Sequence, residues 1–266
     1  MKEILISIRP EWCAKIANGE KTVGEKKIEI RKTIPQCKVP FKCYIYCTKG
    51  NFALLRDEEA ADSKYKYDIW KTADFHQNVG KKTVLNGKVI GEFICDSIST
   101  YESEFTSYDL ESDTQESIQQ FNWDDDSQEY DSSTICTNEG ETADEEYLNT
   151  NLYQKSLVPY VALKKYIGLG FKKFYGWHIS QLVIYDEPKS LSEFPIVDTE
   201  AVNNCAFRNM VYVNPNYTNN TLLKGGYVCT KTAEPDWCTK CFKKTLSKPP
   251  QSWCYIQKEE NQGDNI

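Results

Sequence analysis

Residues 101–150 of the 266-residue chain hold sixteen Asp or Glu and not one Lys or Arg, and this block governs how everything else is read. Removing those sixteen from the 39 acidic residues leaves 23 against 32 basic ones, so the net charge of −7 conceals a basic protein interrupted by an acidic segment. From residue 1 to 50 there are eleven Lys or Arg against five Glu. A face of that sign could meet a polyanion, although lysine-rich faces are also ordinary solvated surface. Self-repulsion and few aliphatic residues predict that 101–150 is an acidic, largely disordered insertion, densest at Asp124-Asp125-Asp126 and Asp144-Glu145-Glu146. Such a tract solubilises, competes for the basic face as a nucleic-acid mimic, or engages a protein partner.

The remainder is globular in composition. With 40% hydrophobic and 13% aromatic residues the chain as a whole is not disordered, and no apolar run approaches the roughly 20 residues a spanning helix requires. The stretch Met1 to Pro10 has no long apolar region and no small-residue cleavage site, so no secretory signal and no membrane association are expected, and the location is read as cytoplasmic. Eleven cysteines, an odd number in a reducing compartment, are expected as thiols or metal ligands and not as a disulfide framework.

Periodicity places the first elements. Ile4 to Ile8 reads as a buried strand, Pro10 fits the first turn of a helix that Gly19 would stop, and Trp12, Cys13, Ile16 and Ala17 share one side of that helix. Ile28-Glu29-Ile30-Arg31 alternates as a half-buried strand, with Glu29 and Arg31 on the outer face as a surface ion pair. Phe41 to Cys47 and Val89 to Cys95, the latter after the turn signal Asn86-Gly87, read as strands, while 50–80 reads as a long connection containing one helix at most. Tyr160 to Ile167 has helical spacing, Gly176 to Tyr185 reads as one strand ended by Asp186-Glu187-Pro188-Lys189, and the chain from 195 to 266 reads as a separate extension.

Ser7-Ile8-Arg9-Pro10, Asn18-Gly19-Glu20-Lys21, Glu29-Ile30-Arg31-Lys32 and Gly176-Trp177-His178-Ile179-Ser180, followed by Asp186-Glu187-Pro188, in this order resemble the ASCH domain, a PUA-like module of bacteria and their phages. Leu246 to Tyr255 resembles the tail that accompanies the domain in a subset of them. The resemblance covers about 1–100 and 151–194. It implies an α+β fold, a small PUA-like β-barrel with flanking helices beside a cleft, related to domains that bind RNA or modified bases. One branch of the family removes the acetyl group from N4-acetylcytidine with a Lys and a Thr in Gly-x-Lys-Thr-x-Thr-x-Arg, plus a Glu. Here Gly19-Glu20-Lys21-Thr22-Val23 is followed by Gly24-Glu25-Lys26-Lys27-Ile28, a five-residue tandem duplication, so either Lys26 or Lys21 matches the family lysine. In the second register Glu29 stands where the catalytic Thr would be, and a carboxylate cannot act as the hydroxyl would.

Two functional classes follow from the resemblance. One is a module that binds RNA, a nucleotide or a modified nucleoside, with contacts from Ser7, Arg9, Lys21, Lys26, Arg31 and Lys32, a base stacked on Trp177 and a hydrogen bond from His178. In strands such as this one, however, Trp is more often core and His more often structural. The other is a nucleoside amidohydrolase using Lys26 or Lys21 with Glu29, which needs a lysine whose pKa is lowered toward neutrality. A phage-type protein-interaction module built on the acidic insert is a third. Separately, Cys238-Thr239-Lys240-Cys241 is a CxxC pair, and Cys229 and Cys254 flank it with eight and twelve residues between. Four thiolates would complete a structural tetrahedral Zn²⁺ site, against the alternative of four reduced thiols.

Overall fold

The computed structural model describes residues 1–21, 27–60, 66–74, 82–105, 116–124, 129–137, 150–211, 226–229 and 242–257. In chain order the strands are β1 (Glu3–Ile8), β2 (Ile28–Arg31), β3 (Phe41–Cys47), β4 (Phe52–Asp57), β5 (Tyr67–Lys71), β6 (Lys82–Val84), β7 (Lys88–Cys95), β8 (Ile98–Phe105), β9 (Glu116–Asp124), β10 (Glu129–Thr137), β11 (Gly170–His178), β12 (Ser180–Ser190), β13 (Pro195–Val197), β14 (Arg208–Val211), β15 (Gly226–Cys229), β16 (Lys243–Thr245) and β17 (Trp253–Ile256). The helices are α1 (Pro10–Ala17), between β1 and β2, then α2 (Asn151–Ser156) and α3 (Tyr160–Ile167) before β11, and α4 (Thr199–Asn203) after β13. The fold is α+β, as expected. Among the described residues no sheet closes into a barrel; two five-stranded sheets, ordered β12-β7-β3-β1-β17 and β10-β9-β8-β11-β2, lie at its centre.

The first sheet is covered on both faces, which explains why every residue of β1 is buried. Ile4, Ile6 and Ile8 join Phe41, Cys43, Ile45, Phe93 and Trp177 under Cys13 and Ile16 of α1. Leu5 on the opposite face joins Tyr46, Val89, Leu191, Phe194 and Ile256. A third cluster packs Ile28 and Ile30 of β2 with Tyr101, Phe105 and Phe174 against Leu152, Tyr160, Leu163 and Ile167 of α2 and α3. These apolar contacts, about 25 cal/mol per Å² removed from water, are the main drive for the arrangement.

Several expectations are corrected. The stretch 50–80 contains β4 and β5, which with β6 form a three-stranded sheet; Ala53, Leu54 and Leu55 are all buried, so no alternation marks the strand. The expected strand Gly176 to Tyr185 is two strands: β11 belongs to the second sheet, and the chain turns at Ile179 to enter the first as β12, which runs on through Asp186-Glu187-Pro188-Lys189. The acidic insert is not wholly irregular. Residues 98–105 pair with β11 throughout and bury Tyr101 and Phe105, while β9 and β10 continue the sheet outward. Nor is 195–266 wholly apart from the body, because β17 pairs antiparallel with β1 from Glu3↔Ile256 to Ile6↔Trp253.

On the outer face of the first sheet, Glu92 accepts from Lys42 Nζ at 2.7 Å and from Tyr185 Oη at 2.5 Å. Burial alone would raise its carboxyl, but these two donors, with the charges of Lys42 and Lys189, outweigh it and hold the group below the ordinary value. A carboxylate depressed on folding stabilises above its unfolded pKa of about 4.3, and that contribution is lost as pH falls through the folded value. Glu92→Gln should therefore lower the urea midpoint at neutral pH and flatten its decline on acidification; a decline as steep as that of the parent would refute the assignment.

Candidate functional site

The alternation of β2 is as expected, but its outer face does not meet water. Ile28 and Ile30 enter the α2–α3 core, while Glu29 and Arg31 turn toward β1 and α1 and are 6% and 4% exposed. Lys21, just past the end of α1, is fully buried and donates from Nζ to Glu29 Oε2 at 2.9 Å. Arg31 Nη2 lies 3.3 Å from Glu29 Oε1, and Arg31 Nη1 donates to the carbonyl of Ser7 at 3.0 Å. Trp12 covers the ammonium of Lys21, 5.3 Å from the ring centre, a cation–π contact. Two cations against one carboxylate leave this buried cluster with a charge of +1.

Above the cluster lies a cleft of about 280 Å³ whose walls include Ser7, Arg9, Trp12, Glu29, Arg31 and Tyr166. Its two sides come from the β1–α1 junction and from α3, and Thr48, Val158, Ala162 and Gln251 complete it. Arg9 is exposed at the start of α1, where the helix dipole adds positive potential. Lys32 is exposed and does not line the cleft, but its Nζ lies 5.1 Å from the centre of the Tyr166 ring, which does. Arg31 Nε and Nη2 are buried without a hydrogen-bond partner, although Nη2 keeps its ionic contact with Glu29. A buried donor left unpaired costs on the order of 1–3 kcal/mol, and an acceptor brought to the guanidinium offsets that cost.

The expected site residues thus divide. Ser7, Arg9, Glu29 and Arg31 line one concavity. The Ser7 hydroxyl is already donated to Pro250 O at 2.6 Å, so it can offer a ligand only lone pairs. Lys21 lies behind Glu29 and does not reach the cleft surface. Trp177 is fully buried, edge-on to Phe41 at 5.2 Å, and presents no face to a base. His178 is also outside the cleft: its Nδ1 pairs with Asp96, joining the β11–β12 corner to the β7–β8 corner. That pairing outweighs the effect of burial and lowers the Asp96 carboxyl. Lys26 lies outside the described residues, as do Cys238 and Cys241. Cys229 ends β15, whereas Cys254 sits in β17 opposite Leu5, its thiol pushed up to about 11 by burial.

Trp12, Tyr166 and Gln251 were not anticipated as walls of the site. Ala162 and Tyr166, one helical turn apart, carry a readable signal in their i, i+4 spacing; Gln251 carries none, because its position depends on the tail crossing the end of β1. The Ser7 amide donates to Ser252 O at 2.8 Å, and Trp253 Nε1 to Thr33 Oγ1 at 2.9 Å.

Neutralising one member of a buried ion cluster leaves the others uncompensated. Glu29→Gln should cost about 3–5 kcal/mol in urea unfolding, far more than an exposed pair would; a loss below about 1 kcal/mol, the range of surface pairs, would show that the cluster is not desolvated in solution. A scan against protein-family models, a search of curated proteins and a search of solved structures each found no match to this chain.

Proposed function

We propose that the chain is a nucleotide-binding and RNA-binding module of the ASCH kind, its two central sheets an opened counterpart of the PUA-like barrel. The observation that carries this reading is the cleft of about 280 Å³ walled by Arg9, Arg31, Trp12 and Tyr166 above a net positive buried cluster. An anionic ligand suits that positive potential, and a nucleotide offers a phosphate together with a flat ring for the aromatic walls of Trp12 and Tyr166. Arg9 and Lys32 at the rim suit the flanking phosphates. Lys21 gives a hydrolytic reading no support, since its ammonium is fully buried and bonded to Glu29.

The test is calorimetric titration with the four ribonucleoside monophosphates across a salt series. Binding should weaken as salt rises, because phosphate contacts release counterions. Arg31→Met, which keeps the aliphatic stem, and Arg9→Ala, an exposed change that leaves the core untouched, should each reduce affinity by about tenfold or more, the loss of one charge-assisted contact. Affinity that ignores salt and both substitutions, or no binding of any nucleotide, would remove the reading.

A further inference from the structure

The tail that closes the cleft brings to its wall a side chain whose hydrogen-bonding groups no described residue occupies. Gln251 stands exposed there, between Pro250 and Ser252, and Ser7 holds both of these neighbours. The Ser7 hydroxyl donates to Pro250 O at 2.6 Å and the Ser7 amide to Ser252 O at 2.8 Å, so the backbone on either side of Gln251 is fixed to the end of β1. Two residues further on, Trp253 Nε1 donates to Thr33 Oγ1 at 2.9 Å and β17 runs on along β1. Pro249 and Pro250 stiffen the approach from the other side, since the ring of each fixes its φ. Gln251 lies outside any helix or strand, yet it is carried on a rigid support.

The other polar groups of the wall are of a different kind. Glu29 is bonded to Lys21 and Arg31, and Arg31 also to the Ser7 carbonyl. An arginine only donates and a carboxylate only accepts, while a hydroxyl such as that of Thr48 does both through one rotating atom. Gln251 supplies the one carboxamide among the residues that line the cleft, and a carboxamide sets a donor and an acceptor side by side in a plane. A phosphate has no use for the acceptor. A base does, because its edge presents donors and acceptors in an order that differs from one base to the next. The cleft therefore separates two tasks: Arg9 at the rim suits the phosphate, and Gln251, on the wall that Trp12 and Tyr166 share, suits the edge of the ring.

We propose that Gln251 is the base-selecting residue of the cleft and Ser7 its positioning residue, so that the ligand is a nucleotide chosen by its base and not by its phosphate alone. This inference rests on the nucleotide reading given above. Calorimetry with the four ribonucleoside monophosphates tests it. In the parent protein the tightest of the four should bind about 5- to 100-fold better than the weakest, the discrimination given by one two-pronged contact between a side chain and a base. Gln251→Ala, a change at an exposed side chain, should bring the four affinities to within about threefold of one another, and Gln251→Leu, which keeps the bulk, should do the same. Ser7→Ala should narrow the spread and Ser7→Thr, which restores a hydroxyl, should recover it; all four affinities falling together in Ser7→Ala would overturn the positioning role. A parent that binds the four alike, or a spread that survives in Gln251→Ala, would overturn the proposal while leaving the nucleotide reading in place. A parent that binds none of them removes both.

Discussion

Placing Lys21, Glu29 and Arg31 out of water is the constraint around which the centre of this molecule is arranged. Each ion loses hydration worth several kcal/mol, and the geometry returns it only while all three remain in register. The partners come from three places: Lys21 from the segment leaving α1, Glu29 and Arg31 from β2, and the Ser7 carbonyl from the end of β1. The cluster therefore fixes how the second sheet meets the first. It also fixes Arg31, two of whose nitrogens are buried without a hydrogen-bond partner, at the wall of a cleft that Ser7 and Arg9 share with Gln251.

The same arrangement shows what a sequence can and cannot convey. Alternation in Ile28-Glu29-Ile30-Arg31 separates two faces correctly, but periodicity says nothing of what covers the polar one; here it is the rest of the protein. β3, β7 and α3 were legible because each turns a distinct apolar face to a neighbour, β1 because its apolar run is long and ends at Pro10, and α3 spans Tyr160 to Ile167 as its spacing predicts. β4 was not, since its three central residues are all buried and no period survives. The break at Ile179 was hidden in an unbroken run of strand-forming residues, and only the sheet change explains it. Of the site, Arg9 and Arg31 were legible through basic composition and resemblance. Trp177 misled as a contact because an aromatic residue in an apolar strand reads alike whether it faces a ligand or the interior.

The acidic block shows a related limit. Charge density argues for irregular chain, yet Tyr101, Phe105 and Ile118 alternate with polar neighbours and are buried beside α2 and α3. An antiparallel strand needs only one apolar face, so acidic residues on the other need not prevent pairing.

Ser7 and Pro250 are 243 residues apart in sequence and joined by a hydrogen bond at the mouth of the cleft. During synthesis, then, the flank of β1 that faces away from β3 stays bare until Trp253–Ile256 has followed. An apolar strand with an open flank is a template for mispairing with other chains. A polypeptide interrupted before residue 250 would lack both the partner of that flank and Gln251 of the cleft wall.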